Sequence, residues 1–172
     1  HSTDRDPQLL WDRSSEDRYA DGGRPLTTPR PGGRVIRQTG NAIYLTGAGA
    51  SPDGDRPFLD RLDLTTLQTE RLFRSAENAY ESVIAPLSVD ATSVLTRRES
   101  RTEPPNYYVR DLANGDLTAV TTVEDPAPQL SGISKQLVTY ARADGVQLSG
   151  TLYLPPGHQE GQRIPLIMWA YP

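Results

Sequence analysis

The sequence has no cysteine, which excludes a disulfide framework, a thiolate metal site and a cysteine nucleophile. Its two histidines, His1 and His158, stand too far apart in the chain to build a histidine-based zinc site, and no cofactor is expected. Nowhere do lysine and arginine form a stripe that could follow a phosphate backbone. Eighteen Lys and Arg against twenty-two Asp and Glu leave a formal net charge of -4, so nucleic acid is not an expected partner. No window approaches the roughly 18 apolar residues of a membrane span. The opening HSTDRDPQLL lacks the basic segment and apolar stretch of a targeting signal. Freedom from disulfides leaves the compartment open.

At 172 residues the chain can hold one ordinary domain or pieces of two. Residues 1–33 are rich in Arg, Asp, Gly and Pro and read as a loop-rich segment. A helical turn is expected after Ser14 or Ser15, because Glu16 and Asp17 follow a serine cap. From Arg34 the texture changes to short β-branched, aromatic and leucine segments between turn residues, the pattern of an antiparallel β protein. NAIYLTG, RPFLDRLDL and TERLFRS read as strands joined by the turns ASPDGD and TTLQ, with GRVIRQ as a weaker inner strand before them. The set then recurs as YESVIAPLSVD, ATSVLTRRES, NYYVRDLANG and DLTAVTTV. Ile43 to Ser93 is 50 positions, while Asp63 to Asp111 and Leu72 to Val120 are each 48. A four-stranded unit recurring at about 40 to 50 residues is the signature of a β-propeller blade, so residues 34–124 are expected to form two such blades. A closed propeller needs at least about four blades, which places part of the expected fold outside these residues.

Residues 125–134, beginning DPAPQL, read as a linker. Residues 135–172 then change pattern. Gln136 to Arg142 and Val146 to Leu154 alternate as two long strands around Ala143-Asp144-Gly145, a sequence suited to a tight hairpin. Ile164 to Tyr171 is continuously apolar, as in a strand covered on both faces inside an α/β sheet. Such a strand requires neighbours that this stretch does not supply.

The run YARADGVQLSGTLYLPPG followed by IPLIMWAYP, together with DPQLLWDRSSEDRYADGG, IYLTGAGASPDGDRPFLDRLDL and LTRRESRTEPPNYYVRDL, resembles the S9 (prolyl oligopeptidase) family of serine peptidases, and within it the glutamyl endopeptidase-like branch. The resemblance implies a propeller capping a C-terminal α/β-hydrolase domain, with a Ser-Asp-His triad between them and peptides as substrates. On this reading the chain is a fragment covering the last propeller blades and the first strands of the hydrolase domain. The fold class is then mostly β, with an incomplete α/β-hydrolase start. It leaves the compartment unknown, with a periplasmic or secreted location favoured over a cytoplasmic one.

Family chemistry requires a serine on a strained G-x-S-x-G elbow. Ser51, Ser134 and Ser149 lack glycine at one or both flanking positions, so nucleophile, acid and base are expected downstream and the chain alone is expected to be inactive. One residue here is implicated by the resemblance. A tyrosine hydroxyl near the end of the strand matching LIMWAY helps hold the oxyanion, a role worth on the order of 3 kcal/mol. By position this is Tyr171, with Trp169 as the alternative. The competing reading is an ordinary strand-end tyrosine with its hydroxyl in water.

Four weaker signals have plainer readings. SPDGDRP is spaced like the start of a calcium loop, but it lacks the later ligands and reads as a hairpin turn. His158 reads as a solvated loop residue. ARADGVQLSG precedes a strand and is a hairpin, not a phosphate loop. Arg97, Arg98 and Arg101, with Glu99 and Glu103, read as a charged strand edge, with a substrate-carboxylate role for any one arginine as the sharper alternative. Three functions follow: an S9 peptidase cleaving after Glu, a non-catalytic propeller-like binding module, or an acyl-peptide hydrolase or esterase of the same architecture. The expected partners are a peptide substrate, and the remainder of a parent chain or a self-associated copy that covers the last strand.

Overall fold

The computed structural model describes residues 8–14 and 16–170. Strands begin at Arg24, within the segment expected to be loop. In chain order they are β1 (Arg24–Pro25), β2 (Thr27–Arg30), β3 (Gly33–Ile36), β4 (Gln38–Thr39), β5 (Ala42–Gly47), β6 (Phe58–Asp63), β7 (Thr69–Arg74), β8 (Ala79–Pro86), β9 (Ser93–Ser100), β10 (Asn106–Asp111), β11 (Leu117–Ala119), β12 (Ser134–Ala141) and β13 (Gln147–Leu154). A single 3-10 turn, Pro128–Leu130, interrupts them, and no α-helix occurs among the described residues. No described helix is therefore long and apolar enough to cross a membrane. Two compact units divide at Glu124 and Asp125.

The class is mostly β, built from separate antiparallel sheets. In the first unit one sheet has the order β1-β5-β6-β7 with β4 also on β5, a second has the order β11-β10-β9-β8, and β2-β3 form a third. Among the described residues these sheets close into neither a barrel nor a propeller.

Repetition extends to individual hydrogen bonds. Asp63 ends β6, and its carboxylate accepts the backbone N–H groups of Thr65 (2.8 Å) and Thr66 (3.0 Å), while its carbonyl accepts from Leu67 (2.9 Å). Asp111 ends β10 in the same way, accepting from Ala113 (2.8 Å) on its carboxylate and from Gly115 (2.9 Å) on its carbonyl. Both turns place their fifth residue in the left-handed region, Leu67 at φ 57° and Gly115 at φ 80°. Leu64 donates to the Asn41 carbonyl and Leu112 to that of Thr92, each at 2.8 Å. An aspartate that can satisfy its own turn is what selects this loop twice.

The inner strand of the first sheet departs from expectation. Of GRVIRQ only Gln38 lies along β5. Leu26 faces Tyr44, its N–H donating to the Tyr44 carbonyl at 2.8 Å, and the next residue on that ladder is Gln38, opposite Ile43. Residues 27–37 are extruded between them as the separate ribbon β2–β3, closed at the foot by Arg37 N–H donating to the Leu26 carbonyl at 2.8 Å. Pro29 and Pro31 have no N–H for a ladder, and Pro31-Gly32, with Gly32 at φ 87°, turns the chain back on itself. The inner edge is thus split between β1 and β4.

The core lies where the two larger sheets face each other. Tyr44, Leu59, Ala91 and Val94 are buried together, with Leu26, Leu72, Phe73, Val83 and Leu112 packed around them. On the opposite face of the first sheet Phe58 is also buried, and its ring lies so close to Gly47 that a Cβ there would stand 2.6 Å from it.

In the second unit β12 and β13 pair from Ser134↔Leu154 to Ala141↔Gln147. Their turn is closed by Gly145 N–H donating to the Arg142 carbonyl at 2.8 Å, with Gly145 at φ 88°. Residues 164–170, expected as a buried strand, form no strand and are exposed. A strand is held by ladder partners on its edges, and this segment joins no sheet among the described residues.

Two glycines with positive φ separate backbone strain from collision. A Cβ on Gly115 would meet nothing within 4 Å, whereas one on Gly49 (φ 62°) would stand 2.1 Å from the Arg56 carbonyl oxygen. Gly115→Ala should cost about 1 kcal/mol, the left-handed penalty alone. Gly49→Ala should cost several times more, and urea midpoints that fell together would contradict the packing at Gly49.

Candidate functional site

A carboxylate out of water must be paired, so buried acids mark where this fold concentrates charge. Glu81 on β8 is 3% exposed. Arg110, two strands away on β10, grips both its oxygens through Nε and a terminal nitrogen, each at 2.7 Å. The remaining terminal nitrogen of Arg110 donates to the Gly115 carbonyl at 3.1 Å, and the guanidinium lies 5.2 Å from the centroid of the Phe73 ring. Arg98, paired with Glu81 across β8 and β9, stands 4.0 Å from the second oxygen. The first sheet carries a smaller version. Buried Asp60 is held by Arg71 through two nitrogens, one at 3.1 Å, and that guanidinium lies 4.3 Å over Phe58. Both carboxylates are buried and each is held through both oxygens by a guanidinium fork, so neither is placed as a general base.

Two cavities bounded by described residues of the first unit are large enough to consider. One of about 220 Å³ is lined by Thr46, Gly47, Phe58, Tyr80 and Val83 among others, and offers room for an apolar group without an acid–base pair. The other, of about 310 Å³, is lined by Arg13, Asp17, Arg18, Asp21 and Arg24 with two alanines. Its carboxylates are already engaged. Asp21 accepts from Arg13 at 2.8 Å and from the Gly23 N–H at 3.1 Å, and Asp17 accepts the N–H groups of Tyr19 and Ala20, each at 3.1 Å. Arg18 reaches Asp55 at 3.0 Å. Arg24 has no partner among the described residues, which leaves one guanidinium in this cavity for an anion.

The residues singled out from sequence fall into different places. Tyr171, the candidate oxyanion donor, lies outside the described residues. Trp169, its alternative, is 81% exposed. Arg97 is paired with Glu99 at 3.1 Å, and Arg98 is bonded to Glu103 and close to Glu81. Of that cluster Arg101 is the exposed one without a partner among the described residues. His158 sits in its loop, its N–H donating to the Pro155 carbonyl at 3.2 Å; the residue is half-buried, with Nδ1 shielded and without a hydrogen-bond partner among the described residues. Ser14 forms only a turn, accepting from Glu16 on its hydroxyl at 3.2 Å and from Asp17 on its carbonyl at 3.2 Å, and no helix follows. Sequence reading missed Glu81, Arg110, Asp60 and Arg71. The available signal was an acid at an inward-facing position of a strand, with arginines at the same face of its neighbours.

Displaced carboxylates lie in turns. Asp63 is held below the usual 3.8 by the N–H groups of Thr66 and then Thr65, and Asp90 by the hydroxyls of Ser88 and then Thr92. Asp125 is lowered by the Ser131 hydroxyl, and Asp144 by the Arg142 guanidinium.

No protein-family model matches the chain. Among curated proteins, a probable chloroplastic glutamyl endopeptidase of Oryza sativa subsp. japonica is 39% identical over 186 residues, covering 98% of this chain and 20% of that protein. Its counterpart by name in Arabidopsis thaliana is 35% identical over 189 residues, covering 99% of this chain and 20% of that one. The chain therefore spans about a fifth of the length of the curated relatives it matches. Among solved structures, a variant of AtxE2 isopeptidase overlaps 82% of this chain and 23% of its own at a TM-score of 0.47 and 17% identity. The apo form overlaps to the same extent at 0.44 and 20%. At these scores the likeness fixes neither fold nor function.

Two predictions follow from the charges. Breaking the Glu81–Arg110 fork on one side strands a buried charge, so Arg110→Met should cost about 3–5 kcal/mol. Replacing Glu81 and Arg110 together should cost less than the sum of the single changes, and additive losses in a double-mutant cycle would show the pair uncoupled. The turn aspartates have folded pKa values below their unfolded 3.8, so the stability they lend is present above that value and is lost as pH falls below it. The melting temperature should drop on acidification from pH 5 to pH 2, and drop less in Asp63→Asn/Asp90→Asn. An identical acid limb in that variant would place the sensitivity elsewhere.

Proposed function

We propose that this chain is part of a serine peptidase of the S9 family that cleaves peptide bonds after glutamate. What supports this is the match, over 98–99% of the chain, to relatives named glutamyl endopeptidases. The Ser-Asp-His triad belongs to residues outside these 172. On this reading the two larger sheets of the first unit are propeller blades, and β12–β13 with residues 164–170 open the α/β-hydrolase domain. The Asp63 and Asp111 turns, 48 residues apart and built from the same bonds, support a blade-like repeat. The rest of the parent chain would cover the exposed Leu166, Ile167 and Met168, since an uncovered apolar strand is an aggregation hazard. Both relatives are named chloroplastic, which favours a compartment outside the cytosol, organellar in plants and periplasmic or secreted in bacteria.

The test is chemical. The natural protein containing this sequence should gain one fluorophosphonate adduct by intact mass and cleave a Glu-containing peptide in preference to its Gln and Lys counterparts. An adduct with turnover of acylated peptides or simple esters alone would favour the acyl-peptide hydrolase or esterase reading. No adduct and no cleavage would overturn the peptidase and leave a propeller-like binding module.

A further inference from the structure

Arginine is distributed unevenly. Between Asp21 and Asp53 the sequence carries Arg24, Arg30, Arg34 and Arg37 and no acidic residue, in a chain of net charge -4. The fold gathers this stretch at one place, the split inner edge of the first sheet and the ribbon extruded from it. Arg24 lies on β1 before the ribbon, Arg37 at its foot, and Arg30 and Arg34 beside its tip, where Arg30 faces Gly33 and Arg34 faces Pro29. Strand alternation sends Arg30 and Arg34 to opposite faces.

None of these four meets a carboxylate among the described residues. Arg34 donates to the hydroxyl and carbonyl of Thr27 at 2.7 and 3.2 Å, Arg37 donates to the Ser88 carbonyl at 2.7 Å, and Arg24 and Arg30 have no partner among the described residues. All ion-paired arginines of the described residues lie outside this stretch. The ribbon also has free main-chain edges, being a sheet of β2 and β3 alone, and β3 contains no proline. Val35 and Ile36, 47% and 53% exposed, supply apolar footing next to the cations.

Free strand edge, apolar footing and uncompensated guanidinium forks together match an extended chain bearing several carboxylates. We propose that the β2–β3 ribbon is a docking site for acidic peptides, which add along the free edge of β3 and set their carboxylates against Arg30 and Arg34. The peptidase reading supplies the setting, with the ribbon drawing acidic substrates toward the protein. Phosphates would also match guanidinium, but a strand edge recognises a peptide backbone and not a sugar.

Fluorescence anisotropy of a labelled hexaglutamate peptide against the full chain tests this. Expected are saturable binding that weakens as salt rises, no binding of hexaglutamine, and about tenfold weaker binding in Arg30→Gln/Arg34→Gln with an unchanged melt. Arg30→Gln alone, which removes no intramolecular bond, gives a smaller loss and serves if the double variant misfolds. Equal affinity in both variants, equal binding of hexaglutamine, or tighter binding of an oligothymidylate of the same charge would each overturn the proposal. The readout involves no turnover, so its failure and an absence of fluorophosphonate labelling are separate results.

Discussion

The burial of Glu81 is the constraint on which the second sheet is built. A carboxylate at that depth is tolerated only with its oxygens satisfied, and both partners come from other strands, Arg110 directly and Arg98 at longer range. A slip of one residue in β8 would turn Glu81 to the opposite face and leave Arg110 without its acid, so the pair fixes register across three strands. Through Phe73 under Arg110, the same charge meets the neighbouring sheet. Such pairs rarely add much net stability over apolar packing; their effect is to make the wrong arrangements expensive. The nearby Thr96 hydroxyl, buried with no partner among the described residues, has no comparable arrangement and is a site of uncompensated cost.

The parts of this fold legible in the sequence were those written in local chemistry. Asp63 and Asp111 announce their turns because a short carboxylate can bond the N–H groups ahead of it, and that grammar needs no distant partner. Gly145 marks the β12–β13 turn just as locally, through the positive φ that glycine adopts without strain. Strands β5 to β11 alternate within these punctuation marks, so their existence and order could be read off. The ion pairs were not legible, because alternation says which face a residue takes and not which strand will sit two places away. Tyr171 was reached through family resemblance, and no physical feature of its neighbours singles it out.

Two elements went the other way for identifiable reasons. GRVIRQ has the composition of a strand, but the prolines ahead of it direct Gly33–Ile36 to β2 and leave only Gln38 on β5. Residues 164–170 have the composition of a buried strand, and composition cannot supply a ladder. Strand propensity describes fitness for a pleated, half-covered surface, and here the described residues provide no such surface.

The two uses of arginine can be separated by their surroundings. Arg71, Arg98 and Arg110 stand in strands whose neighbours carry acids on the same face, so each is consumed by the fold that places it. Arg30 and Arg34 stand on a ribbon whose whole sequence lacks an acid, and two prolines with a glycine turn hold that ribbon as a separate sheet. In a protein with an excess of carboxylates elsewhere, long cationic side chains would ordinarily find partners by collapse onto the surface. An extruded, proline-stiffened hairpin denies them that, and so keeps their charge available to a ligand that brings its own carboxylates.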